Sequence, residues 1–217
     1  MADYVLHCMA QSGHSYKVAL MRELCGADWE PHRVAFFTGE TRGDAYREMN
    51  EMGEAPVLID HTRRPDLTLS QSGVILYHLG EHFGKFLPES EAERHEALRW
   101  ILWDNHKLTS YSATYRFLRI FAGKGDTPEA VFLKGRAESA WRVLDTHMKG
   151  RDFVAADRPT IADLSLCGYL FWPAQIGMIT EQYPNITAWL HRLRALPGFK
   201  LPEDLMPTGQ DENTTTA

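Results

Sequence analysis

Two short stretches of this chain carry residue types suited to holding a small anionic molecule. Ser70-Gln71-Ser72 precedes Val74, Ile75, His78 and Leu79, which recur at helical spacing, so the polar triplet falls at a helix start. The first N–H groups of a helix have no intrahelical partner and sit at the positive end of its dipole, which suits a carboxylate. Just upstream, Glu54-Ala55-Pro56-Val57-Leu58-Ile59-Asp60 is an apolar run entered through a proline. A proline there removes a backbone donor and favours a turn or a cis bond. Together the stretches offer a free strand edge and an anion-holding helix start. A short peptide with a free carboxylate could use both.

The elements that must position these residues follow from pattern. Tyr4 to Met9 reads as a strand, Gln11 to Ser15 as a turn, and Val18, Leu20, Met21, Leu24 and Cys25 as the apolar face of a helix stopped by Gly26. His32 to Phe37 reads as a second strand, which makes a βαβ unit with parallel pairing. A short helix is expected at Asp44 to Met49, then two strands around Ile59 and Leu69 and the helix after Ser72. That order, βαβ then ββα, is thioredoxin-like. After Gly84 no strand signal of comparable quality follows. A long helix runs through Leu98, Ile101, Leu102, Asn105, Leu108, Ser112 and Tyr115, and the next is capped by Thr127 with Pro128 in its first turn. Phe153 to Ala155 reads as a short extended piece. Pro159-Thr160-Ile161-Ala162-Asp163 is a capping box with Asp for Glu, and a final helix spans about 185 to 196. The expected organisation is a first domain over 1–84, a linker over 85–91, an all-helical domain over 92–206 and a disordered tail over 207–217.

Ala-Pro-Val-Leu followed by a Gln-Ser pair opening a helix resembles the glutathione-binding half of the cytosolic glutathione transferases. Arg158-Pro159-Thr160-Ile161-Ala162-Asp163 is similar to the folding motif of their helical domain, although the family usually has glycine where Arg158 stands. The resemblance covers nearly the whole chain and is to the bacterial type, serine-type or beta-like. It implies a thioredoxin-like α/β N-terminal domain followed by an all-α C-terminal domain. It further implies that Pro56 is cis, that the backbone of Val57 pairs with the cysteinyl part of glutathione, and that Gln71 and Ser72 hold the γ-glutamyl carboxylate. Ser12 falls on the serine of serine-type members and on the cysteine of the beta class. There it would donate a hydrogen bond to the glutathione sulfur and favour the thiolate, since a free thiol near pKa ~8.5 is little ionised at neutral pH. The rival donor is Ser15, better placed as a helix cap. Glu54 stands where the family often carries Gln, Lys or His, and an anion there cannot receive the glycine carboxylate; Arg42 or Arg47 is left for that contact. His106-Lys107 is similar to a His-Lys pair of the beta class. With Asp104, Tyr111 and Tyr115 it forms a set of further contacts for glutathione or an acceptor.

Each of these residues also has a plainer reading. Ser12 suits a turn, Gln71 and Ser72 suit caps, the arginines suit a solvated surface, and aromatic residues at helical spacing suit a core. Composition narrows the classes. A net charge of −6 without a basic stripe argues against nucleic acid and anionic membranes as partners. No apolar run approaches the ~20 residues of a membrane span. The opening residues lack the basic region and apolar core of a signal peptide. Cys8, Cys25 and Cys167 form no zinc spacing, and a sparse, odd set suits a reducing cytoplasm. The expectation is a cytoplasmic, metal-free homodimer that transfers glutathione, its co-substrate, to a small electrophilic, hydrophobic acceptor. The alternatives are a glutathione-dependent peroxidase or disulfide reductase, and a non-catalytic binding or regulatory protein on the same fold.

Overall fold

The computed structural model describes residues 2–208, so most of the tail expected from residue 207 lies outside the described residues. The chain divides into two units, Met1–Lys85 with Pro197–Ala217, and Phe86–Leu196.

The first unit is built on a four-stranded sheet of order β2-β1-β3-β4, with β1 at Tyr4–Cys8, β2 at Trp29–Arg33, β3 at Val57–Asp60 and β4 at Leu67–Ser70. β1 and β2 are parallel, joined by helix α1 (Gly13–Cys25); the other pairs are antiparallel. α2 is Asp44–Met49 and α3 is Ser72–Phe83. The two-residue alternation of a strand sorts side chains by face. Leu6 lies opposite Leu58, and both are fully buried, as are Val18, Leu20 and Met21 of α1 and Ile75, Leu76 and Leu79 of α3, which packs on α1. His7 lies opposite Val57 on the other face, where Val57 packs with Val34, Tyr46 and Met49. Gly26 ends α1 in the left-handed conformation at φ 70°, with its N–H closing on Arg22 and Glu23.

The second strand lies three residues earlier than expected. Pro31 sits inside it, tolerated because β2 is at the sheet edge. The apolar residues taken for that strand leave the sheet: Val34 N–H still reaches Cys8 C=O at 2.8 Å. The chain then turns through 3-10 turns at Phe36–Thr38 and Glu40–Arg42, pinned by Ala35 N–H to the Glu40 carboxylate at 2.6 Å.

The second unit is helical: α4 (Glu91–Trp103), α5 (Thr109–Arg116), α6 (Pro128–Met148), α7 (Ile161–Leu166), α8 (Pro173–Ile176) and α9 (Pro184–Arg194). The single long helix of the sequence reading is interrupted by π-helical segments at Asp104–Leu108 and Phe117–Phe121. Hydrophobic periodicity does not register one extra residue per turn. Phe153 to Ala155 forms no strand. Trp141 and Trp189 centre the core, and the Trp141 indole N–H donates to Ser112 at 3.1 Å.

After α9 the described chain from residue 197 belongs to the first unit instead of closing the helical one at 206. Helix α10 (Pro202–Leu205) packs on α1, the Tyr16 hydroxyl donates to Lys200 C=O at 2.8 Å, and Lys200 pairs with Glu23 at 2.6 Å.

Candidate functional site

Two helix starts meet in the first unit. Ser12 is the N-cap of α1: extended backbone leaves its hydroxyl oxygen free to accept the Ser15 N–H at 3.1 Å. Its hydroxyl proton is not used in that bond, and Ser12 is 8% exposed. Ser15 is fully enclosed, its oxygen accepting the Met9 N–H at 3.4 Å, so it supports the turn from below. Ser72 opens α3 and is nearly buried. His14, on the first turn of α1, places its Nδ1 3.1 Å from Ser72 Oγ and so ties the two helix starts together. Burial, with Lys17 adding, holds the His14 imidazole down to about 3.

The loop before β3 completes the group. The Ala55–Pro56 bond is cis, as the resemblance implied. Tyr46 hydroxyl and Asn50 side-chain amide both donate to Glu54 C=O, at 3.1 and 2.7 Å, and fix the loop's exit. Gln71 adopts φ 66°, a left-handed value costly for a non-glycine residue. From there its amide nitrogen reaches the Glu54 carboxylate and the Met52 sulfur, each at 3.1 Å. Val57 is different from expectation. It lies inside β3 with β1 on one side and β4 on the other, opposite His7 and Ser70, so no free strand edge exists there. The backbone that adjoins Pro56 outside the strand is that of Ala55. Arg42 lies exposed in a 3-10 turn with no side-chain partner among the described residues, and Arg47 is turned to Glu51 C=O at 3.4 Å.

The helical unit holds the remaining candidates. Asp104 is fully buried and accepts from Thr109 at 2.6 Å and Ser165 at 2.7 Å, a structural role. His106 and Lys107 lie in the first π segment. Tyr111 accepts from Lys107 at 3.4 Å and from Arg136 of α6 at 3.1 Å, and these bonds, Arg136 first, lower its hydroxyl pKa. Arg136 escaped the sequence reading because nothing local links α6 to α5. Tyr115 is buried.

Cys8, Cys25 and Cys167 are buried and form no disulfide, and burial pushes Cys8 up to about 12 and Cys25 up to about 11. Among the described residues, no group of three His, Cys, Asp or Glu could hold a metal ion, and no helix is long and apolar enough to cross a membrane.

Residues 11–82 match the family described as Glutathione S-transferase, N-terminal domain, and residues 108–197 match Glutathione S-transferase, C-terminal domain. The chain belongs to the glutathione S-transferase family. It is 28% identical to the disulfide-bond oxidoreductase YghU of Escherichia coli over 198 residues, 85% of this chain and 68% of that one. The crystal structure of a possible glutathione S-transferase from Rhodopseudomonas palustris is similar at TM-score 0.85 and 30% identity, covering 99% of this chain and 96% of that one. A glutathione transferase family member from Pseudomonas fluorescens, solved with two glutathione bound, is similar at TM-score 0.77 and 25% identity, covering 90% and 89%. These matches fix the thioredoxin-like plus helical transferase fold.

Proposed function

We propose that this chain binds glutathione at the junction of α1 and α3 and transfers it to a small electrophile. The observation that carries the reading is the His14–Ser72 bond, which brings a hydroxyl donor on one helix start beside an anion-binding start on the other. The γ-glutamyl end of glutathione carries both a carboxylate and an ammonium. Ser72 and the first N–H groups of α3 suit the carboxylate, and the Glu54 carboxylate, held by Gln71, suits the ammonium. Glu54 thus has a use other than the glycine end. The cysteinyl backbone would pair with Ala55 beside Pro56. Ser12 already accepts from Ser15, so its remaining proton is available to the sulfur. The thiol loses its proton to solvent, the thiolate attacks the electrophilic carbon, and the leaving group departs with the bonding pair.

The family relationship and three buried cysteines that form no disulfide fit a cytoplasmic protein. A homodimer is proposed through α3 and α4, which leave Val74, Tyr77, Leu98 and Leu102 largely exposed.

A second reading is favoured by the YghU relative: reduction of a mixed disulfide. With Cys8, Cys25 and Cys167 all buried, and burial raising the first two thiols, the protein's own thiols would take no part. One glutathione thiolate would attack the glutathionyl sulfur of the disulfide, releasing the partner thiol and glutathione disulfide. A panel of an aryl halide, an organic peroxide and a mixed disulfide, each with glutathione, separates the readings. Turnover of the halide is the expected result. Turnover of the disulfide alone would favour the second reading. No turnover, and a melting temperature unmoved by millimolar glutathione, would sink both.

A further inference from the structure

His14 takes no step in the transfer just described, yet it bridges α1 to α3 over 58 residues of chain. Its imidazole is held neutral at physiological pH by burial and by Lys17. A neutral imidazole has one N–H and one bare nitrogen. The bond to Ser72 therefore has two forms. Where Nδ1 is bare, Ser72 donates to it, the single hydroxyl proton is spent, and only lone pairs face an approaching carboxylate. Where Nδ1 carries the proton, His14 donates to Ser72 Oγ. The serine proton is then left for the ligand, and the two bonds polarise one another in the same direction. Ser72 is 3% exposed, so water offers its hydroxyl little alternative.

We propose that His14 is a positioning residue for anion recognition: as the Nδ1–H tautomer it donates to Ser72 and directs the Ser72 hydroxyl at the carboxylate of the peptide ligand. This rests on the reading that Ser72 holds a glutathione carboxylate. It adds a link in which the side chain of α1 that follows the capping serine sets the donor direction on α3. Affinity, more than the chemical step, is what His14 controls.

The test uses the full chain, calorimetric titration with glutathione, and melting curves without ligand. An asparagine amide nitrogen stands where Nδ1 stood, whereas a glutamine amide extends towards the Nε2 position. His14→Ala should weaken glutathione binding about tenfold, the scale of a hydrogen bond made to a charged group. His14→Asn should recover most of that loss and His14→Gln should not. Ser72→Ala should weaken binding, and adding His14→Ala to it should cost nothing further. kcat at saturating glutathione should stay close to wild type in His14→Asn. A lower melting temperature with unchanged affinity in His14→Ala would make the residue purely structural and overturn the inference. Equal behaviour of the Asn and Gln variants would overturn it as well. If the wild-type chain fails to bind glutathione, the underlying reading falls and takes this one with it. If wild type binds and Ser72→Ala weakens binding while His14→Ala does not, only this inference falls.

Discussion

Ser12 has two demands on one hydroxyl, and they are compatible because they use opposite ends of it. Its oxygen caps α1 and its proton is left over. Removing it should therefore have two separable effects. Ser12→Ala loses a cap worth ~1 kcal/mol of stability. It also removes the donor to the sulfur, so turnover at neutral pH should fall on the order of 10²-fold. The titration of thiolate absorbance in the binary complex should move to higher pH while glutathione affinity changes much less. Coinciding titration curves for wild type and variant would leave Ser12 as a cap alone. At this scale the sequence was legible where chemistry is local. Ser12, Gln71 and Ser72 declare themselves through cap residues ahead of apolar periodicity. Val57 did not, because whether a strand residue has a free edge depends on what lies on both sides of it. Glu54 was read as an obstacle because its partner, Gln71, is 17 residues away and reaches it only through a positive φ.

Among the elements, α7 shows how much a capping motif can carry. The capping box is formed, with the Asp163 carboxylate accepting Thr160 N–H at 2.8 Å. The same carboxylate also takes Val154 N–H at 2.8 Å and the Trp189 indole at 2.9 Å. Asp163 is thus a hub for three segments and not only a cap. Asp163→Ala strands three enclosed donors at roughly 1–3 kcal/mol each and should cost about 4 kcal/mol or more. Thr160→Ala should cost ~1 kcal/mol. Equal losses in denaturant melts would contradict this ranking. The loop before α7 is also tied by Arg158, whose guanidinium meets Glu93 at 2.7 Å and Glu89 at 3.0 Å. Arg158 holds the Glu93 carboxylate well down, from 4.5 to about 2. The folded state therefore favours the ionised form. The contribution is complete above pH 4.5 and fades as pH falls towards 2. Arg158→Ala should therefore lower stability above pH 4.5 and flatten that limb, the two profiles converging as pH falls towards 2; an unaltered profile would show that the pair does not matter. The capping box was legible because its spacing is fixed by one helical turn. The fork to Glu93 spans 65 residues and was not. Nor were the π segments, whose residues keep ordinary helical hydrophobicity.

At the scale of the whole chain, the alternation of strand and helix signals reads as two consecutive domains, whereas the fold forms one unit from Met1–Lys85 with Pro197–Ala217 and another from Phe86–Leu196. What composition could not reveal is that the chain returns. Pro197-Gly198 marks the end of a helix, but no local pattern says where the next residues go. They go to α1. Tyr16 and Glu23, on that helix, hold Lys200 by its carbonyl and its ammonium, and Pro202, Leu205 and Met206 are buried. Burying an apolar side chain of this size is worth ~1.5–3 kcal/mol, against a total stability on the order of 5–15 kcal/mol for a domain. Helix α1 also begins at Ser12 and His14, so the segment that braces its back supports the site at its front. A chain cut after Leu196 should lose several kcal/mol of stability in the first unit and bind glutathione more weakly, while the far-ultraviolet signal of the helical unit persists. A chain ending at Thr208 keeps every one of these contacts and is the control. If the shorter chain melts and binds like the longer one, the return segment is only a covering, and α1 holds its geometry without it.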